Sequence, residues 1–235
     1  MNNKENIVRL DSRLAAAASF VRQGASAADI GTDHAYLPIY LIQSGIAKSA
    51  VAADINRGPL ERAKADAARY SMGNQLSFCL SDGLRGIDLE GLGITDIIIC
   101  GMGGELIARI VGESEYTKNP AVRLILQPMT AADDLRAFLD NAGYNIIDEK
   151  ISSAAGKTYC CICAEYDGVK RTSTPAELLL GKKNIEKREP LFEKYAAGIL
   201  KKLDTRINGL KTGGHDCSAD EECRADIKRI MEDPT

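Results

Sequence analysis

The stretch Ala27-Ala28-Asp29-Ile30-Gly31-Thr32-Asp33-His34-Ala35-Tyr36-Leu37-Pro38 decides the fold. A short run of small and apolar residues ends at a glycine, and an apolar helical pattern starts a few residues later. Glycine at such a break lets the backbone pass close to a ligand, and the helix start presents free amides. Residues 27–30 then read as a buried strand and 36–44 as a helix, the first half of a strand–helix–strand unit.

Outward from this stretch the same alternation repeats. Apolar runs at 49–53, 75–80, 96–100 and 123–127 read as further strands, with amphipathic patterns at 59–70, 105–111 and 131–142. Strands alternating with helices predict a parallel sheet. The runs 145–150 and 158–165 have no helix between them, so they predict an antiparallel hairpin closing that sheet. Beyond Tyr166 the pattern changes. Thr174-Pro175-Ala176-Glu177 combines an N-cap threonine, proline at the first helical position and glutamate three after the cap. Apolar residues then recur at Leu178, Ile185, Phe192, Ile199, Leu203, Ile207 and Leu210, a helix-packing stripe. Pro190 should break the first helix near Glu189, and 219–232 reads as a shorter returning helix. A boundary near Asp167-Gly168 divides the chain into an α/β unit, 1–167, and a helical hairpin, 168–235.

Composition narrows the function classes. Of 235 residues, 45% are hydrophobic and 27% charged, which is globular rather than disordered. No apolar run approaches the ~20 residues that cross a bilayer. Residues 1–9 are polar and show no secretory leader, and seven cysteines fall in no framework pattern. Both features predict a reducing, cytoplasmic setting. Cys160 and Cys163 form a C-x-x-C, but within a strand they point to opposite faces, so no metal site is expected. The net charge of −3 hides a polarity: residues 169–211 hold 11 Lys and Arg against 5 Asp and Glu. Such a basic block suits a polyanion, although charge runs are also common on solvated helical faces.

In open α/β sheets ligands bind beyond the carboxyl ends of the strands. Those ends carry Asp29, Gly31 and Asp33, then Asp54, then Ser81-Asp82-Gly83, then Gly101-Met102-Gly103-Gly104. An acid at the second strand end is placed to accept both hydroxyls of a ribose. Asp82 could accept from an adenine amino group, and the glycine row leaves room for a substrate. A dinucleotide site wants G-x-G-x-x-G, whereas here Asp33 stands where the second glycine would be. A carboxylate there repels a pyrophosphate and attracts an ammonium or sulfonium, which favours S-adenosylmethionine over NAD. The residues alone leave the methyl acceptor open between RNA, protein and small molecule, and leave open a non-catalytic nucleotide-binding module.

The run from Asp29 to Pro38, with Gly101-Met102-Gly103-Gly104 and Leu126-Gln127-Pro128-Met129, resembles the bacterial tRNA (adenine-22, N1)-methyltransferase family. Asp54-Ile55-Asn56-Arg57-Gly58-Pro59-Leu60, Ser81-Asp82-Gly83-Leu84 and Gly156-Lys157-Thr158-Tyr159 extend the match, which runs from about Arg9 to Glu165 and more loosely beyond. The resemblance implies a Rossmann-like class I methyltransferase with a seven-stranded sheet, an appended coiled-coil-like helical domain, S-adenosylmethionine as cofactor and tRNA as substrate. It puts Gly31 and Asp33 against the methionine moiety, Asp54 on the ribose, Asp82 and Gly83 on the adenine, and Gly101, Met102 and Gly103 toward the methyl group. Arg9, Asp29, His34 and Ile55 complete the expected cofactor set. The Asn/Asp-Pro-Pro-aromatic motif of many adenine-N6 methyltransferases is missing, which argues against methylation of the amino group. Neutral adenine N1 carries a free lone pair, so attack needs no base, and Asp33 with Tyr36 are the candidates for stabilising the cationic product. Lys182, Lys183, Lys187, Arg188, Lys194, Lys201 and Lys202 are the expected grip on RNA phosphates, with a monomer expected.

Overall fold

The computed structural model describes residues 7–233; six of the nine polar N-terminal residues lie outside them. Seven strands form one sheet: β1 Ala25–Ile30, β2 Ala47–Asp54, β3 Leu76–Leu80, β4 Asp96–Gly103, β5 Arg123–Thr130, β6 Tyr144–Ala154 and β7 Lys157–Tyr166. Their order is β3-β2-β1-β4-β5-β7-β6, with the first five parallel and β7 antiparallel to both neighbours. All seven predicted strands and the closing hairpin are present. The chain runs outward from β1 to β3 and then returns to lay β4 on the other side of β1. That reversal makes a switch point between β1 and β4, where a parallel sheet opens a crevice at its carboxyl edge.

Side-chain alternation explains the layering, since successive residues of a strand point to opposite faces. Ala28, Ile30, Ile97, Ile99, Leu124 and Leu126 join one core, whereas Ala27, Ile98 and Ile125 join the other. Helices α1 (Ser12–Ala18), α2 (Tyr36–Gln43) and α3 (Arg57–Arg69) cover the second face; α4 (Gly104–Gly112) and α5 (Ala132–Ala142) cover the first. Helix α1 was not expected from the sequence. Asp11 starts it by accepting from the amides of Arg13 and Leu14 at 2.9 Å, and Ala16–Ala18 pack it down.

The C-terminal segment holds α6 (Pro175–Leu180), α7 (Lys182–Lys187), α8 (Phe192–Thr212) and α9 (Ser218–Glu232). The capping box at Thr174 and Glu177 forms as the sequence predicts. The first break does not fall at Pro190: α6 already ends at Gly181, whose φ is +86°. A Cβ there would lie 2.2 Å from the Glu149 carboxylate, so only glycine fits. The helices have no core of their own. Leu180, Phe192, Ala196, Leu203, Ile207, Cys223 and Ile227 belong to the same apolar cluster as Leu124, Leu126 and Ile162. Beneath them Arg136 is 2% and Glu149 0% exposed, paired at 2.7 Å. Arg136 also donates to the Leu178 and Leu179 carbonyls, and Glu149 accepts from the Lys183 amide.

Candidate active site

At the end of β1 the amides of Gly31 and Thr32 both donate to the Ala53 carbonyl of β2, at 2.8 and 3.0 Å, which bends the chain over the sheet edge. Gly31 has φ +80°, and a Cβ on it would stand 2.0 Å from the Met102 methyl of β4. The two residues therefore meet across the switch point. Asp29 is buried one turn of strand below, hydrogen-bonded to the Thr32 side chain. Its carboxyl is pushed up to about 6, chiefly by burial and secondarily by the charge of Asp54. Asp54 ends β2, half-buried, with Oδ1 accepting from the Asn56 amide at 2.7 Å.

The next residues turn toward α3. Asp33 is exposed and held by the guanidinium of Arg62, whose hydrogen bond lowers its carboxyl below the ordinary value. His34 places Nδ1 2.9 Å from Asp66 and stacks on Tyr36, with ring centroids 5.0 Å apart. Asp33 is thus already neutralised, and Asp29 is the acid beneath the loop. Asp82 is likewise bound, 3.2 Å from Arg109 of α4. Gly83 has φ +61° and packs on Ile110, where a Cβ would come within 3.0 Å of two carbons. Arg62 and Arg109 were missed in the sequence; both sit on helices far along the chain from their acids.

Strand β4 does not stop at Cys100. It continues to Gly103 beside β5, pairing Met102 with Pro128 and Gly103 with Thr130 through two irregularities of register. Gly101 to Gly103 are therefore the end of a strand, and the space around the absent side chain of the exposed Gly101 is open for 4 Å, whereas Gly104 is buried at the start of α4. Cys100 is half-buried, and its thiol is pushed up by burial first and Asp29 second, so it is a poor nucleophile. Gln127, fully buried beside it, donates to the Pro128 carbonyl while its Oε1 has no partner among the described residues. Two N-terminal residues also reach this edge unforeseen: Arg13 lies 3.2 Å from the Met129 sulfur and 5.6 Å above the Tyr159 ring, and Ser12 donates to the Ser153 carbonyl. Arg9 is exposed just before them.

Tyr36, Ile55, Leu80, Leu106 and Met129 are large apolar side chains left at least 38% exposed, and all follow or end strands at this one edge. A rim of exposed apolar groups around acids and glycines suits a ligand with an apolar body and a positive charge. That matches S-adenosylmethionine and fits a pyrophosphate poorly. Among the described residues no group of His, Cys, Asp and Glu could hold a metal, and no helix is long and apolar enough to cross a membrane. Cys160 and the adjacent Cys161 face opposite cores, and all seven cysteines are free.

The basic residues separate into two sets. Lys182 pairs with Glu177, Lys183 with Glu186, and Lys187 with Asp148 and Glu189. Arg188 donates to the Ile230 carbonyl and lies over the Phe192 ring. Lys182, Lys187 and Arg188 tie α7 to its neighbours, whereas the Lys183 pair lies within α7. Lys194, Lys201 and Lys202 of α8 are exposed; Lys194 reaches Ser153 at 3.4 Å, and neither Lys201 nor Lys202 has an ion-pair partner among the described residues.

Comparison with known proteins agrees with the fold and with the cofactor class. The model of a methyltransferase domain matches residues 10–162. The chain is 36% identical over 197 residues to the tRNA (adenine(22)-N(1))-methyltransferase of Bacillus subtilis, covering 80% of each. A putative tRNA (m1A22) methyltransferase of Streptococcus pneumoniae, solved with S-adenosyl-L-methionine, superposes with a TM-score of 0.82 at 32% identity, over 95% of this chain and 100% of that one. A Mycoplasma capricolum relative in complex with the cofactor product S-adenosyl-homocysteine gives 0.74 at 26% identity, over 95% and 96%.

Proposed function

The chain belongs to the tRNA (adenine(22)-N1)-methyltransferase family, and from that premise we propose how its residues carry the reaction. The protein is an S-adenosylmethionine-dependent methyltransferase acting on N1 of adenine 22 in tRNA. The observation that carries the assignment of roles is the meeting of Gly31 and Met102 across the β1–β4 switch point, with Asp29 and Asp54 beside it. S-adenosylmethionine supplies a methyl group on a positively charged sulfur.

Asp54 would accept from the ribose hydroxyls with the oxygen that Asn56 leaves free. Asp82, Gly83 and Ile55 would border the adenine, and Gly31, Asp29 and His34 the methionine part, with Arg9 closing the rim. Gly101, Met102 and Gly103 would line the path of the methyl group. Asp33 and Tyr36 keep a supporting part: the salt bridge to Arg62 and the stack on His34 fix the loop rather than leaving a free charge. Since adenine N1 needs no deprotonation, the protein's main contribution is to align acceptor and methyl group, an effect that can reach ~7–11 kcal/mol. The developing positive charge on the base is met by the net negative field of Asp29 and Asp54.

The helical unit, 168–235, would bind the RNA, through Lys194, Lys201 and Lys202 first, with Lys182, Lys183, Lys187 and Arg188 more occupied within the fold. Its apolar residues are buried within its own chain, in one cluster with the sheet, which supports a monomer, and seven free cysteines support a cytoplasmic setting. The test is methyl transfer to unmodified tRNA, followed by nuclease digestion and nucleoside mass spectrometry. N1-methyladenosine at position 22 is expected; product on N6, or none, would overturn the reading.

A further inference from the structure

A cavity of about 280 Å³ lies between the carboxyl edge of the sheet and helix α8. Its floor is the end of β5 and the start of β7, with Met129, Thr130 and Tyr159; its far wall is Tyr195, Ile199 and Lys202, on one face of α8. The cavity also adjoins the glycine row. The Thr130 hydroxyl lies 3.3 Å from where a Gly103 side chain would begin, and Met102 pairs with Pro128, another lining residue.

We propose that this cavity receives the target adenine, turned out of the tRNA stack. The proposal rests on the tRNA methyltransferase reading and adds the place of the acceptor base. N1 lies on the pairing edge, so the base must leave its stack to be methylated, and extruded bases are held between aromatic and apolar side chains. Tyr159 and Ile199 supply such walls. The volume is below that of pockets for drug-sized ligands and suits a single base. Lys202 stands exposed at the mouth, with Lys201 and Lys194 on the same helix, where the phosphates flanking an extruded nucleotide would run. A protein or small-molecule acceptor would not call for an exposed lysine at the mouth of an apolar slot. Thr130, Asp133 and Thr158 offer polar groups for the base edge.

The test fills the cavity with Ile199→Trp. The variant should lose at least about tenfold in kcat/KM for tRNA, while calorimetry shows wild-type affinity for S-adenosylmethionine and the melting midpoint holds. A wild-type kcat/KM would overturn the pocket alone, whereas wild-type protein that forms no N1-methyladenosine would overturn the underlying reading and the pocket with it. Because the chain has no tryptophan, Tyr159→Trp provides a second measurement that does not depend on the first variant's folding. With S-adenosyl-homocysteine present, its indole emission should change on adding tRNA with adenosine 22 and stay unchanged with tRNA abasic at that position. Equal changes with both RNAs would also overturn the proposal.

Discussion

Asp29 carries its carboxyl at about 6 instead of the ordinary 3.8 because it is buried in β1 and faces Asp54. The unfolded chain therefore ionises first, and this group's contribution to stability is full below pH 4, falls between pH 4 and 6, and is level above. Binding runs the other way. A cationic ligand needs the carboxylate ionised, so affinity for S-adenosylmethionine should rise by up to about tenfold per pH unit below 6 and flatten above it. Calorimetry at pH 5 and pH 7 on wild type and Asp29→Asn checks this; an equal affinity at both pH values in wild type would remove Asp29 from the site. Asp54→Ala should weaken the same binding by about 1–3 kcal/mol, the cost of losing a charged acceptor, and an unchanged dissociation constant would misplace the ribose. At this scale the acids were legible because strand ends can be read from local pattern. Their partners were not. Arg62 and Arg109 stand 29 and 27 residues from Asp33 and Asp82, and only the folded helices bring them together.

The elements show the same division. The capping box of α6 was readable from four consecutive residues, and the strands from their apolar runs. The end of α6 was not, because Gly181 is demanded by a carboxylate 32 residues earlier on β6 rather than by its neighbours. Pro190 was the louder signal and the wrong one. Gly181→Ala places a Cβ against Glu149 at a left-handed φ, so it should cost about 1–3 kcal/mol. Chemical denaturation checks that value, and a stability equal to wild type would show that Glu149 can move aside. The extension of β4 through Gly103 was also hidden: glycine is a poor strand former by propensity, Gly101 takes a left-handed φ of +80° at the irregularity, and the pairing resumes only at Met102 and Gly103, opposite Pro128 and Thr130.

For the molecule as a whole, the boundary drawn near Asp167-Gly168 separates two patterns of sequence but not two cores. Arg136 and Glu149 are buried exactly where the helices meet the sheet, so removing one partner strands the other charge. Arg136→Met should cost about 3–5 kcal/mol, and Arg136→Met with Glu149→Leu should recover much of it; a double variant as unstable as the single would mean that the loss comes from packing.

The same docking decides which lysines face RNA. Charge counting treats the basic block as one patch, but folding engages Lys182, Lys183, Lys187 and Arg188 with acids and carbonyls of the protein itself and leaves Lys194, Lys201 and Lys202 on α8, beside the sheet edge that carries the glycines. Each lysine on a phosphate displaces bound counterions, so its loss flattens the dependence of affinity on salt by about 0.7–0.9 in logarithmic slope. Neutralising the three α8 lysines to glutamine should lower tRNA affinity and reduce that slope by about 2–3, with S-adenosylmethionine binding intact. Neutralising the other four should lower the melting midpoint more than the slope, because their bonds are to the protein. Filter binding of tRNA between 50 and 200 mM salt separates the two sets, and a larger slope change from the α7 set would turn the RNA-facing side of the helical unit away from the methyl-transfer edge.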